Sequence, residues 1–558
     1  MKLQGRIETH QLLLALALVL GFAAYCGTST FEFVHDDRAQ IVHNPIVKSW
    51  QYVPRYFTEH VWEAIVPGTI GNYYRPVFLL WLRFNDALFG LRVSAWHWTS
   101  LLCHLAVTLL VYFLGVRLLR DRFDAAVATL IFAVHPVHLD SVAWISGITD
   151  PLMTLFFVAA FLCYLESRQA AALCLYAAAI LTKEPALVFP GLVFIYEWMF
   201  AETEAPRLAR FRRAVLKSVP FVIVSGLYLI QRVRVIGAIG HSVTSASLST
   251  VLFTWPGVFW LYAKLLLWPA VVNPFHATEY VTRPGWGNFA LPLLAMIAIA
   301  DVIYLLSRRF ENRVVAFASA WLILPMVPLL DLRVLPMAEF VHDRYLYLSS
   351  IGFAIMAALA IKLAPRQILL PLSLTLAMAL TVGTVLESSV YANDLLYYSR
   401  GVSVEQENRE LAVNFANVLT EHGRYDEAIG VYTRVLARSP YYWSANYNLG
   451  RAYFFSGKLD LAEVYLKRAV TMNAGLGAQL LLGGTYIKEH RLDEAAAVLR
   501  DGIERHPDAP EYHFTLGLVL KLQNDLPGAL EQFKAETAIQ PDPVSTAQIA
   551  EISGKLQH

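Results

Sequence analysis

Long apolar runs separated by short polar connectors fill the chain from about Leu12 to Leu386; past Tyr391 the pattern turns polar and helix-forming. A run of about 17–25 apolar residues can cross the hydrocarbon core as one helix. The runs at about 12–27, 96–116, 124–143, 151–166, 170–182, 185–200, 214–232, 288–307, 314–330, 345–363 and 367–386 predict eleven crossings. Lys2 and Arg6 precede the first run and place the N-terminus in the cytoplasm by the positive-inside rule. Tyr25-Cys26-Gly27 is a poor cleavage site, so this run is expected to be an uncleaved anchor. Arg117, Arg120 and Arg122, then Arg207, Arg210, Arg212, Arg213 and Lys217, fall on the inside face; Asp140, Asp150 and Lys183-Glu184 fall outside. The stretch 248–272 is apolar but broken by Pro256 and Pro269. If it crosses, Arg308, Arg309 and Arg313 land outside, against the charge rule, so it is expected to lie along or dip into the outer leaflet. An odd number of crossings then places the C-terminal half on the same face as the first loop.

In that half, Ala428, Ala462, Ala495 and Ala529 recur about every 34 residues, with Leu449-Gly450, Leu482-Gly483 and Leu516-Gly517 in matching places. Pro440, Pro507 and Pro541 close three of the four repeats and Ala474 stands where the fourth would be. This spacing is the tetratricopeptide signature: small residues let paired helices approach, and stacked pairs bury a core that none buries alone. Such arrays offer a surface to a protein partner; a structural or oligomerising arm is the alternative. The expected architecture is all-α, with a membrane module over residues 1–390, whose first outside loop covers 28–90, about four repeats over 391–545, and a tail over 546–558.

Composition sharpens this picture at few points. The 558 residues are 56% hydrophobic and 16% charged, which excludes a disordered chain, and a net charge of +1 argues against a nucleic-acid partner. The cysteines (Cys26, Cys103, Cys163, Cys174) lie inside apolar runs and imply neither a disulfide framework nor a metal site.

The candidate chemistry sits on the outside connectors. Asp36 and Asp37 follow the first span within a dozen residues, and carboxylates so close to a bilayer are costly unless they act. Moving a sugar from a phosphate leaving group to a hydroxyl needs a base on the incoming oxygen and negative charge near the sugar ring, and a carboxylate meets both needs. A metal-binding pair or a solvated loop is the alternative. His135-Pro136-Val137-His138 closes the third span; its imidazoles suit a metal, a phosphate, or merely a helix end. Lys183 can neutralise a lipid phosphate or pair with Glu184. Arg75 and Arg344, the latter followed by Tyr345 and Tyr347, stand at outside boundaries, where a guanidinium binds phosphate bidentately or snorkels. Arg232 and Arg234 lie on that face too. A divalent Mn or Mg ion held by Asp36, Asp37 and His138 is left open.

Taken in order, these motifs resemble the TMTC group, the transmembrane O-mannosyltransferases with tetratricopeptide repeats among the GT-C glycosyltransferases. The resemblance rests on Phe33-Val34-His35-Asp36-Asp37 with Ile41 and Asn44-Pro45, then Tyr74-Arg75-Pro76 with Asn85-Ala87-Leu88-Gly90 in the next helix. It continues through His135-Pro136-Val137-His138 with Val142, Ala143 and Asp150, Lys183-Glu184, and the run Arg344 to Phe353. It implies a polyprenyl-phosphate-linked mannose donor, inverting transfer to Ser or Thr hydroxyls of a protein, and repeats on the active-site face. Asp36 would act as base or ring-stabilising carboxylate with Asp37 orienting it, and Arg75, His135, His138, Lys183, Glu184, Arg344 and Tyr347 would bind the donor. The short array and His342-Asp343 before Arg344 depart from the family pattern and bear on the acceptor. A chain this compact is expected to be prokaryotic, in an inner membrane with an undecaprenyl-phosphate sugar; a eukaryotic member would sit in the ER membrane. The competing readings are a membrane-tethered scaffold without activity and a GT-C enzyme with a lipid or glycan acceptor.

Overall fold

A computed structural model of the chain describes residues 8–69, 71–201, 204–335, 340–472, 475–509 and 511–556; Lys2, Arg6 and Ala474 lie outside them. The described residues form helices and no strands, and the chain divides into two compact units, Met1–Arg400 and Gly401–His558.

The first unit is built on α1 (Thr9–Tyr25), α2 (Pro76–Phe89), α3 (Val93–Leu119), α4 (Arg122–Val134), α5 (Thr149–Leu165), α6 (Gln169–Thr182), α7 (Phe189–Phe200), α8 (Arg207–Ile236), α9 (Leu248–Leu267), α10 (Leu291–Arg309), α11 (Asn312–Ile323), α12 (Ser350–Ile361), α13 (Arg366–Ser388) and α14 (Asp394–Val404), the last running on across the division. Eight described helical stretches are long and apolar enough to cross a bilayer, and a ninth if α4 and Pro136–Val142, which meet at 51°, form one bent span. The protein is an integral membrane protein. The remaining three expected crossings are short: α6 has 14 residues, and α7 and α12 have 12 each, about 20 Å at 1.5 Å per residue. Each is bounded by a polar motif, Lys183-Glu184 between α6 and α7 and Ser349 before α12.

The stretch expected to lie in the outer leaflet contains a continuous 20-residue helix, α9, long and apolar enough to span. Pro256 sits inside it without ending it; neighbouring side chains and local adjustments can satisfy the carbonyl a proline frees. Only Pro269, just past Leu267, marks the break, opening a short 3-10 turn. The long first loop is a series of single helical turns, packed on α2 and on Trp96 through Ile41, Ile46, Val47 and Tyr56.

Two close backbone approaches lock the middle of this unit. Gly352 of α12 sits so near the Ala318 carbonyl of α11 that a Cβ would overlap it. A Cβ on Gly147 would likewise overlap the Asp140 carbonyl and lie 3.1 Å from the Ser141 Cα. Both neighbours at Gly147 are backbone and cannot rotate away. Gly147→Ala is therefore expected to cost about 1–3 kcal/mol of stability, read as a lower melting temperature of the detergent-solubilised protein.

The second unit is a stack of helix pairs: α15 (Arg409–Glu421) with α16 (Tyr425–Arg438), α17 (Trp443–Phe455) with α18 (Leu459–Thr471), α19 (Leu476–Lys488) with α20 (Leu492–Arg505), and α21 (Tyr512–Leu522) with α22 (Leu526–Ile539). All four repeating alanines are fully buried. The glycines explain the pairing distance: a Cβ on Gly450 would stand 2.7 Å from Leu466, on Gly483 3.1 Å from Leu499, and on Gly517 2.9 Å from Phe533, each on the partner helix. The stretch expected to be a tail continues instead as helix α23 (Pro543–Leu556), which buries Ile552 and closes the end of the stack.

Candidate active site

The first loop reaches the site through a tight backbone knot. His35 adopts φ +53°, rare for a residue with a Cβ. Its amide donates to Asp394 Oδ1 at 2.7 Å, and its Nδ1 lies 2.8 Å from the Tyr398 hydroxyl. Glu32 N–H donates to the Ala392 carbonyl, and Arg38 pairs with Asp394 at 2.8 Å. The segment from Ala392 to Tyr398 thus fixes the loop's direction.

This knot turns the two acids to different environments. Asp37 is fully buried; its Oδ1 accepts the Ser146 amide at 2.8 Å and the Ser146 hydroxyl at 2.5 Å, and its Oδ2 accepts the Val34 amide at 3.1 Å. Asp36 keeps 27% of its side chain exposed, with His35 Nε2 3.3 Å from one oxygen and Gln40 Nε2 donating to the other at 3.4 Å. One carboxylate ties the loop to the Ser146 turn, and the other is open.

Burial pushes the Asp37 carboxyl up to about 7, against the hydrogen bonds from Ser146 and Val34 that favour its charge. Its folded value lies above the ordinary 3.8, so the folded protein holds this proton more tightly than the unfolded chain. Its contribution to stability is greatest below about pH 4, falls as pH rises to about 7, and is flat beyond. Asp37→Asn, neutral throughout, is expected to lessen the drop in melting temperature between about pH 5 and about pH 8; equal drops in both proteins would refute the assignment.

Beside the acids lies a group of cations. Arg344 Nη1 donates to the fully buried Asp140 at 3.0 Å, and its guanidinium stacks 5.0 Å from the Trp144 ring centroid and 5.4 Å from that of Tyr345. Lys183 pairs with Asp150 at 2.5 Å, both almost wholly buried, and its Nζ sits 5.4 Å from the centroid of that same Tyr345 ring. Burial pulls the Lys183 ammonium down to about 8; Asp150 opposes this, while Arg75 and Arg344 add to it. Arg75 donates from Nε and Nη2 to Glu184 Oε2 at 3.2 and 2.8 Å, and Arg232 donates to Glu184 Oε1 at 3.0 Å. Burial alone would raise Glu184, but the two guanidiniums hold it down at about 2. Four cations (Arg75, Lys183, Arg232, Arg344) against three carboxylates (Asp140, Asp150, Glu184) leave one positive charge uncompensated.

Aromatic residues join acids to cations. Trp144 donates from its indole to the Val34 carbonyl at 3.3 Å and packs 5.8 Å from the His35 ring, with Arg344 on it as well. Tyr397 stacks on His35 at 5.4 Å and lies within electrostatic reach of Asp36, Asp140 and Arg344. Asp36, Arg75, Lys183, Glu184 and Arg344 are therefore gathered in one region.

His135, His138 and Tyr347 lie behind it, in the core. Both His135 nitrogens are engaged, Nδ1 accepting the Val137 amide at 3.2 Å and Nε2 donating to the Leu266 carbonyl at 3.0 Å. Tyr347 is fully buried, its hydroxyl 2.7 Å from His104 Nδ1. His138 is fully buried against Phe132 and Tyr347, with Nε2 2.9 Å from the Ser350 hydroxyl and Nδ1 without a partner. Among the described residues no three His, Cys, Asp or Glu side chains converge as metal ligands. Asp36, Asp37 and His138 do not form such a set, since Asp37 gives both oxygens to Ser146 and Val34.

Several participants carry no sequence signal of their own. Trp144 follows the end of a predicted span, and Asp394 and Tyr397 fall in the stretch read as the start of the repeat array, whose first paired helix begins only at Arg409. His276, in the irregular segment after α9, pairs with Asp343 at 2.7 Å, and Asp343 also accepts the Asn273 amide of that segment at 2.9 Å. Asp140 and Asp150 were legible only as outside acids; their partners Arg344 and Lys183 lie 204 and 33 residues away.

Residues 419–475 and 480–543 each match a tetratricopeptide-repeat family. The Caenorhabditis elegans protein O-mannosyl-transferase F38B6.6 is 27% identical over 79% of this chain and 64% of its own length. Human protein O-mannosyl-transferase TMTC3 is 23% identical over 93% of this chain and 64% of its own. Along most of its length the chain is similar to the TMTC protein O-mannosyl-transferases. It matches less than two thirds of the length of these TMTC relatives. Among solved structures, YrrB, described as a TPR protein with an unusual peptide-binding site, is 20% identical over 29% of this chain and 84% of its own, with a TM-score of 0.26.

Proposed function

We propose that this protein is a membrane glycosyltransferase that moves mannose or a similar hexose from a polyprenyl-phosphate donor to Ser or Thr hydroxyls of a protein, on the extracytoplasmic side. The observation that carries this reading is the open Asp36 carboxylate held, through Trp144 and Tyr397, beside Arg344 and the Lys183 and Arg75 cluster with its net positive charge. The O-mannosyl-transferase names of its relatives support the same class of reaction.

In the reaction the acceptor hydroxyl oxygen attacks the anomeric carbon from the face opposite the phosphate. Its proton passes to Asp36, the new C–O bond forms, and the bond to the phosphate oxygen breaks with its electron pair. The configuration inverts. The polyprenyl phosphate gains charge as it leaves, and Arg344, Lys183 and Arg75 stabilise that charge in place. Asp37 orients the loop that carries Asp36, and His135 and His138 hold the bent fourth helix from behind. The repeats recruit the acceptor, which requires them to share the compartment of Asp36.

The test is to supply the purified protein with a polyprenyl-phosphate mannose and an extracytoplasmic acceptor protein, then map hexose additions by mass spectrometry. Hexose on Ser or Thr of the protein supports the reading. Transfer only to lipid or glycan would replace the acceptor, and no transfer with any polyprenyl-phosphate hexose would favour a scaffold.

A further inference from the structure

At the other ends of the same helices is a second polar cavity that the transfer reaction does not use. The chain leaves the Lys183 end along α5, returns along α6, leaves again along α7 and returns along α8. The C-terminal ends of α5 and α7 therefore lie together, away from the acids. With the start of α8 they enclose about 540 Å³, lined by Tyr164, Gln169, Tyr196, Glu197, Arg213 and Lys217 among others.

The floor of this cavity is built. Glu197 is 6% exposed, accepts the Tyr164 hydroxyl at 2.5 Å and pairs with Arg213 at 2.7 Å. Lys217, one helical turn beyond Arg213 on the same face, is exposed and makes no ion pair or hydrogen bond among the described residues. Gln169 opens α6, and no side chain caps its first amides, so a helix start with unsatisfied N–H groups adds positive potential. Arg212 lies on α8 nearby, and Arg210 is stacked on Trp198 at 5.3 Å. Among the described lining residues the one carboxylate, Glu197, is already neutralised by Arg213. The outward face of α8 beside the cavity is apolar and bare: Phe211, Leu216 and Val222 are each about half exposed. An anion pocket that opens onto a hydrocarbon-facing helix fits a molecule with phosphate at one end and acyl chains at the other.

We propose that this cavity holds the phosphate headgroup of an anionic membrane lipid, with Lys217 and the uncapped start of α6 as its ligands and α8 beneath its acyl chains. The site is separate from the transfer site and does not depend on it.

The experiment is native mass spectrometry of the full chain released from nanodiscs of phosphatidylglycerol or phosphatidylcholine, with binding of inorganic phosphate measured on delipidated protein. Wild type is expected to retain phosphatidylglycerol and not phosphatidylcholine. Lys217→Gln is expected to lower retention about fivefold, the effect of one lysine near an anionic headgroup, with its melting temperature unchanged. Arg309→Gln, an exposed cation elsewhere, is expected to leave retention as it is. Equal retention of both lipids, or equal losses in the two variants, overturns the proposal. Binding of inorganic phosphate through Lys217 without selective phosphatidylglycerol retention overturns it in favour of a soluble phosphate ester.

Discussion

Asp36→Asn is expected to cut sugar transfer by about 10²–10⁴-fold, the usual contribution of a positioned general base, while the protein keeps its wild-type melting temperature. The asymmetry of the two acids is the reason. Asp36 is partly open and makes only long contacts with His35 and Gln40, so an amide of the same shape replaces it without strain. What is lost is the basic oxygen that takes the acceptor proton and the charge that faces the sugar ring. Asp37→Asn should behave in the opposite way. It puts an amide NH₂ against donors from Ser146 or Val34, which loosens the loop and lowers stability as well as rate. Single-turnover rates on both variants, beside their melting curves, separate these outcomes. A folded Asp36→Asn protein that transfers at the wild-type rate would remove Asp36 from the chemistry.

Lys183→Met carries the second large effect. Lys183 and Asp150 are 4% and 3% exposed and 2.5 Å apart. Removing the ammonium strands a carboxylate in an interior where a lone charge costs several kcal/mol, so the loss of stability is expected to be about 3–5 kcal/mol. Transfer should fall with it, because the leaving phosphate loses a cation. The double variant Lys183→Met with Asp150→Leu separates the two roles. Replacing both members of a buried pair by apolar side chains is often neutral for stability, so the double variant should recover the melting temperature and not the activity. If it recovered both, Lys183 would be a structural ion and the phosphate would bind through Arg344 and Arg75 alone.

The residues most legible in the sequence were those marked by local rules. Asp36 and Asp37 were conspicuous because carboxylates beside a bilayer are expensive, and Lys183, Arg75 and Arg344 because each stands at a span boundary. Arg232 stands on the outside face, where the positive-inside rule disfavours arginine, and its pairing with Glu184 supplies the reason. Local pattern could not distinguish a histidine that faces substrate from one that ties helices together. His135 and His138 read as ligands, yet one is fully engaged with Val137 and Leu266 and the other lies among aromatic rings. Pro256 misled in the other direction, since a proline that breaks an isolated helix is tolerated where neighbours satisfy the backbone.

The sequence by itself determined the membrane module, the repeat array and the two acids. Hydrophobic run length, a period near 34 and the cost of charge in lipid are properties of neighbouring residues, and they act before any distant contact forms. Tertiary structure alone decided which acid is open, because that depends on Ser146 and Asp394 meeting the first loop from far along the chain. It also paired Arg344 with Asp140 and set Trp144 between the acids and the cations. Burial of a charge becomes affordable only once its partner has arrived, and the sequence does not record which partner that is.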